Sequence, residues 1–181
     1  MEFLETPRLI LRNYEERDWP DFRRLNSDPR VMEFFPAPWS ESESREVFER
    51  LRGLIGERGW GLWALEEKES GKFVGWTGLH VPNFEASFLP GVEIGWRTLP
   101  EFWNQGLATE AATRALDFGF KVLRLPQIVS FTAVGNVRSQ RIMEKIGMER
   151  KEDWDFLHPK VADGHVLRPH VVYVKFNDVS A

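Results

Sequence analysis

Apolar and polar side chains alternate through Arg8–Asn13 (RLILRN), the period-two pattern of a half-buried strand. The period lengthens over Asp18–Ser27, which reads as a helix, and the aromatic, Pro-broken stretch DPRVMEFFPAPW follows as a connection. Ser40 and Glu43 form a capping-box pattern, with Val47, Leu51 and Leu54 at helical spacing behind them, so a helix is predicted to run to about Glu57. GWGLWALEEKESGKFVGWTGLHV reads as two strands around a turn at Glu69–Gly71. A further strand is expected over Val92–Thr98. The helical pattern from Leu107 to about Val122 carries Leu107, Ala111, Ala115 and Phe118 on one stripe, so it packs against something flat. IVSFTAV is a strand, VRSQRIMEKI a short helix ended by Gly147, and VVYVKF a last strand. This succession predicts a mixed α/β fold, a central sheet with helices on both faces, in a single domain over residues 1–181.

Composition narrows the function classes. The 181 residues suffice for one sizeable core, and 42% hydrophobic residues with eight Trp belong to a globular chain rather than a disordered one. A net charge of -4 supplies no global basic field, so neither nucleic acid nor a membrane surface is an expected partner. The absence of Cys excludes disulfides, thiolate catalysis and Cys-ligated zinc. MEFLETPRLI is acidic where a secretory leader is basic, and no apolar run approaches membrane-spanning length; a cytoplasmic location is the expectation.

The stretch WNQGLATEAA places a Gly where an apolar strand gives way to a helix of small side chains. The first turn of a helix has backbone N–H groups without intrahelical partners, and the macrodipole makes that end electropositive. Gly106 and Ala108 are small enough to admit a phosphate, and the amides of Gln105, Gly106, Leu107, Ala108 and Thr109 would point at it. A plain strand-to-helix loop accounts for the same residues. No Gly-Lys-Ser/Thr follows and the Gly-x-Gly-x-x-Gly spacing is missing, so this is neither a Walker loop nor a dinucleotide fingerprint.

VEIGWRTLPEFWNQGLATEAATRALDFGF, SFTAVGNVRSQRIMEKIGM and DFLHP, with TPRLILR before them and HVVYVKF after, together resemble the successive motifs of the GNAT acetyltransferase superfamily. The likeness is to its RimJ/RimL-type branch and spans nearly the whole chain. It implies a mostly antiparallel twisted sheet with a splayed strand pair that takes acetyl-CoA, and N-acetyl transfer to a primary amine. It also implies that the CoA pyrophosphate sits on Gln105–Thr109, that pantetheine contacts the backbone around Trp96, Arg97 and Thr98, and that Asn136 lies beside the CoA arm. Two positions depart from the pattern. Asn104 stands where relatives carry a further Gly, and Met143 stands where the wider superfamily often has a Tyr that protonates the leaving thiolate.

The reaction needs a neutral amine, a stabilised oxyanion and a tolerable leaving group. An alkyl amine has a pKa near ~10.4 and a thiol near ~8.5, so removing the amine proton is the larger obstacle. Glu93 sits in an apolar strand, where desolvation raises a carboxylate toward the working range, and is the first candidate base, acting through a water; pairing with Arg97 on the same strand face is the competing reading. Gly95 suggests a bulge or close approach that frees ladder groups for an extended ligand. The resemblance makes Ser139 the candidate proton donor to the thiolate, whereas Asn136 also suits a helix cap. His158 is the second candidate base, a loop-anchoring histidine being the alternative, and with His165 and His170 it does not make a convincing metal site, so no metal is expected. Phe34, Phe35 and Trp39, with the loop Leu157–Pro169, either wall an acceptor groove or merely cover the sheet. The acceptor is a protein N-terminus or a small amine, and the chain a monomer or homodimer. A CoA-binding regulatory protein without turnover and a nucleotide-binding module are the competing classes.

Overall fold

The computed structural model describes residues 4–177. Its strands are β1 (Leu4–Glu5), β2 (Leu9–Arg12), β3 (Leu62–Glu67), β4 (Phe73–His80), β5 (Glu93–Thr98), β6 (Gln127–Ala133), β7 (Glu149–Arg150), β8 (Phe156–Leu157) and β9 (Pro169–Phe176). Its helices are α1 (Trp19–Ser27), α2 (Glu41–Arg58), α3 (Leu107–Lys121) and α4 (Val137–Lys145). The strands form a nine-stranded sheet in the order β1-β2-β3-β4-β5-β6-β9-β7, with β8 pairing β9. The pairings are antiparallel except at one junction, where β5 and β6 run parallel.

That junction is a single residue pair, Glu93 opposite Val129. Val129 N donates to Val92 O at 3.0 Å, and Ser130 Oγ donates to Ile94 O at 2.9 Å. Beyond this apex β6 stays in continuous register with β9 and β5 with β4, so the two halves of the sheet diverge and leave a gap lined by backbone. Gly95 is not a bulge: β4 and β5 pair through it without a shift, and the irregularity in this half of the sheet falls between Leu65 and Glu66 of β3. The freed edge anticipated at Gly95 comes instead from the loss of β6 as a neighbour.

Each face of the sheet is assigned by strand alternation, since cross-strand partners share a face. His80/Glu93, Gly78/Gly95 and Trp76/Arg97 lie on one face, and Leu79/Ile94 and Thr77/Trp96 on the other. α3 buries Leu107, Ala111, Ala112, Ala115, Leu116 and Gly119. It lies close against the second face, because a Cβ at Gly119 would meet Leu79 Cδ1 at 3.0 Å and Ile128 Cδ1 at 2.6 Å. α1 approaches the first face through Asn26, whose Oδ1 accepts from Arg97 Nη1. α2 begins at the anticipated capping box, with Glu43 N donating to Ser40 Oγ and Ser40 N to Glu43 Oε2, and stops at left-handed Gly59. Phe48 of α2 meets Phe22 of α1 and Tyr14 edge-on, closing the core between these helices.

Candidate active site

The turn before α3 holds two left-handed residues, Asn104 at φ 60° and Gly106 at φ 78°. Asn tolerates that conformation better than most side chains, so Asn104 takes the backbone shape a Gly would give and the turn is not rebuilt. Gly106 is the N-cap of α3 and brings no side chain to bond the first-turn amides. A Cβ at Gly106 would meet only Arg8 Nη2, at 3.6 Å. The cradle is therefore open on the side a phosphate would approach. Arg8 brings a guanidinium to the turn, paired with a carboxylate: Nη1 donates to Gln105 O at 2.9 Å, and Nε and Nη2 both lie 2.7 Å from Glu110 Oε2. Glu110 Oε1 also accepts from Thr6 Oγ1 and Arg8 N. This arginine comes from the other end of the chain, and its only sequence signal was the TPRLILR start of the family likeness.

Along the gap the carbonyls of Val92 and Ile94 point toward β6. Alternation puts the main-chain groups of Trp96 and Thr98 on that same edge, but Thr98 O already accepts from Trp103 Nε1 at 2.9 Å. Arg97 O is turned the other way, onto β4, where a Cβ on Gly75 would sit 2.1 Å from it. Of the three residues expected against pantetheine, Trp96 is thus the one with both gap-edge groups open, and its indole packs partly into the core.

Glu93 is buried at the apex and does not pair with Arg97. Its Oε2 lies 3.1 Å from Nε2 of His80, its register partner on β4. Burial raises the Glu93 carboxyl, an effect His80 partly opposes. Burial alone would lower His80, but the Glu93 carboxylate outweighs it and holds the imidazole above its ordinary value. Each partner therefore holds its proton more tightly than it would in water. His80 was missed from sequence because only the strand register brings it to Glu93.

Asn136 caps α4: its Oδ1 accepts from Ser139 N at 3.2 Å, and its Nδ2 donates to Thr132 Oγ1 at 2.9 Å and Ser139 Oγ at 3.0 Å. Ser139 and Met143 stand four residues apart on one helix face. Met143 is buried in the core, and the hydroxyl lies one turn nearer the helix N-terminus.

His158 sits in an aromatic cluster, its ring centroid 4.9 Å from Phe84, 5.8 Å from Phe156 and 4.8 Å from His170. Lys160 N donates to its Nδ1 at 3.2 Å, anchoring the loop. Burial first, then His170 and Lys160, push it down to about 4. An imidazole that stays neutral in the fold but protonates when unfolded loses stability as pH falls from about 6.5 toward that folded value. The melting temperature is therefore expected to fall between neutral pH and pH about 4, and to fall less in His158→Gln. Equal acid sensitivity of the two proteins would contradict the assignment. Among the described residues no group of three or more His, Asp or Glu is placed to hold a metal ion. No helix of the described residues is long and apolar enough to cross a membrane.

Phe35 and Trp39 lie over the Arg97 guanidinium at 4.2 and 4.8 Å, and Phe34 lies against Arg138 at 5.8 Å. The first two thus wall the Glu93 face of the sheet, on the side opposite α3.

The family model for the acetyltransferase (GNAT) domain matches residues 8–149. An FsC-acetyl coenzyme A-N(2)-transacetylase from Aspergillus fumigatus is 32% identical over 176 residues, which cover 90% of this chain and 73% of that one. The crystal structure of a GNAT-family acetyltransferase from Bacillus anthracis superposes with a TM-score of 0.79 at 27% identity, covering 97% of this chain and 99% of that chain. RimL, a ribosomal L7/L12 α-N-protein acetyltransferase solved with coenzyme A, gives a TM-score of 0.76 at 16% identity over 98% of this chain and 99% of that one, a likeness of fold. With the splayed β5/β6 pair, the glycine turn at α3 and this match over most of its length, the chain belongs to the GNAT acetyltransferase family.

Proposed function

We propose that the protein transfers the acetyl group of acetyl-CoA to a primary amine by direct attack on the thioester, at the apex of the β5/β6 gap. The observation that carries this reading is the parallel junction that ends after Glu93–Val129, with a buried carboxylate at its closed end. The amides of Gln105 to Thr109, with Arg8 beside them, would hold the CoA pyrophosphate by dipole and charge. The Trp96 main chain would hold the pantetheine arm as an added strand does, and the Asn136 cap fixes Ser139 next to it.

Glu93 acts as the base, taking the amine proton through a water while its pairing with His80 limits how far burial raises it. The amine nitrogen bonds to the acetyl carbon, the carbon–sulfur bond breaks, and the thiolate leaves with the electron pair. Ser139 Oγ, which accepts from Asn136 Nδ2, is the donor to that thiolate and takes a proton from solvent as it gives its own, so no alkoxide is left. Ser139→Ala is expected to lower kcat by at most about 10²-fold with little change in CoA affinity; lost CoA binding with unchanged turnover at saturation would instead place the hydroxyl in the cofactor site. His158, neutral and packed at tilted angles among aromatic rings, is a wall of the acceptor side rather than the first base.

The acceptor class is a protein N-terminal or small-molecule amine, the reaction uses no metal, and a cytoplasmic enzyme acting as monomer or homodimer fits this reading. A second reading, a CoA-binding protein without turnover, is favoured by Met143, which puts a buried thioether where a Tyr donor would stand. A screen of N-terminal peptides and small amines with acetyl-CoA, followed by thiol release and product mass, separates the two. Acetylated product supports transfer; CoA binding with no transfer to any amine supports the second reading.

A further inference from the structure

Among the described residues two arginines are buried, in different company. Arg12 is held by Asp18, at 2.7 and 2.8 Å, and by Glu66, at 2.8 Å. Arg97 is 6% exposed, and among the described residues no carboxylate pairs with it. Its one hydrogen bond goes from Nη1 to Asn26 Oδ1, and Nε is buried without a partner. Phe35, Trp39 and Trp76 surround the guanidinium at 4.2, 4.8 and 5.2 Å. Rings offset part of the cost of burying a cation, yet they accept no hydrogen bond from its in-plane N–H groups. A buried donor left without an acceptor is costly in a protein that gives its other buried arginine three acceptor oxygens on two carboxylates. Asn26 is itself fixed: its Nδ2 donates to Phe22 O at 2.9 Å, and its main-chain O accepts from Trp39 N at 2.9 Å. The pocket around Arg97 is built; the buried Tyr14 hydroxyl, itself without a hydrogen-bond partner, is the polar group that faces the guanidinium electrostatically, and among the described residues no anion answers its charge.

Its placement relative to Glu93 gives that charge a use. Glu93, Gly95 and Arg97 project to one face of β5, and between the His80/Glu93 and Trp76/Arg97 pairs Gly95 and Gly78 bring no side chain, so the floor there is backbone with the edge of the Trp76 indole, which lies 3.5 Å from where a Cβ on Gly95 would stand. Gly95 and Trp76 are part-exposed, so the floor is reachable. Four residues of strand separate the two ends by about 13 Å, and Gly95 lies about 7 Å from either. An amine presented at the apex would extend its far end over Gly95 toward the guanidinium.

We infer that Arg97 binds a carboxylate carried by the acceptor several bonds away from the amine that is acetylated. The acceptor is then an extended amino acid or an acidic N-terminal peptide rather than a simple amine or a polycation. This rests on the acetyl-transfer reading. The planar fork of the guanidinium suits a carboxylate, and the aromatic walls exclude the water that would weaken the pair. The remaining charge balance agrees: burial pushes Arg97 down to about 9, which still leaves it protonated at neutral pH.

The test is a set of matched acceptors with acetyl-CoA and the wild-type protein: peptides with Glu or Gln at the second or third residue, and an ω-amino acid beside its primary amide. The carboxylate member of a pair is expected to have kcat/KM about 10- to 10²-fold higher, chiefly through KM. Preference confined to the peptides names a peptide acceptor, and preference confined to the ω-amino acid names a small one. Arg97→Gln should bring the ratio of acid to amide close to one, and Arg97→Lys should keep part of it. Should Arg97→Gln not fold, the wild-type ratios and the Lys variant still decide. Turnover that does not distinguish acid from amide overturns the inference while leaving acetyl transfer standing, as does a preference that survives Arg97→Gln. No thiol release with any amine removes the acetyl-transfer reading, and this inference with it.

Discussion

Glu93→Gln is expected to lower kcat by about 10²- to 10⁴-fold while acetyl-CoA affinity stays near wild type. The amide is close in shape, keeps the strand and loses only the capacity to take a proton. The effect should be confined to turnover, because Glu93 sits at the closed end of the gap, away from the α3 turn proposed to hold phosphate. Its pH dependence carries the sharper signature. Burial raises the carboxyl and His80 holds it down, so the acidic limb of kcat/KM should lie above the usual carboxylate range. Removing the imidazole in His80→Gln should move that limb to still higher pH, since the neighbour that lowers Glu93 is lost. A limb that stays in place in His80→Gln, or a Glu93→Gln protein that is folded and turns over normally, contradicts this assignment.

Gly106→Val should weaken CoA binding by about 10²-fold or more, with a smaller effect on stability. Gly106 has φ 78°, a conformation in which a β-branched residue is strained by roughly 1–3 kcal/mol. Its missing side chain also leaves the approach to the α3 amides open. A valine there puts methyl groups where the pyrophosphate oxygens would come within hydrogen-bond distance of those amides. Titration of the folded variant with CoA by calorimetry checks the point, and an unchanged dissociation constant would remove the cradle. CoA at 100 times its dissociation constant should stabilise the wild type by about 2.7 kcal/mol, and the variant should lose that shift at the same concentration.

The parts of this site that were readable in the sequence are those fixed by local chemistry. The α2 capping box lies within four residues, and the turn at Gly106 announces itself through a helix of small side chains beginning there. The long elements were placed to within a residue or two, β5 starting at Glu93 rather than Val92 and α3 ending at Lys121. Two-residue strands such as β1, β7 and β8 carry too few side chains for a period and were not anticipated.

What escaped the sequence depends on register and on distance in the chain. Glu93 and Arg97 are four apart on one strand face, which invites a pair, yet they stand about 13 Å apart along it. His80 comes nearer because β4 folds back antiparallel and places it directly opposite Glu93. The same geometry sends Arg97 into a box of three rings from two parts of the chain, the connection before α2 and β4, and a strand pattern alone does not bring them together. Gly95 suggested a bulge because a strand glycine usually marks a local irregularity. The gap has a non-local cause, the parting of β6 from β5 as it continues in register with β9. Arg8 reaches the turn at Gln105 from the start of β2 for the same kind of reason.

A crystal structure of the protein with CoA tests the account most directly, because it locates the nucleotide and the sulfur in one measurement. The expected result has the pyrophosphate on the amides of Gln105 to Thr109 with Arg8 beside it, pantetheine bonded to the Trp96 main chain, and the thiol at the apex facing Glu93 and His80. A pyrophosphate bound away from the α3 turn, or a thiol directed out of the β5/β6 gap, would contradict it.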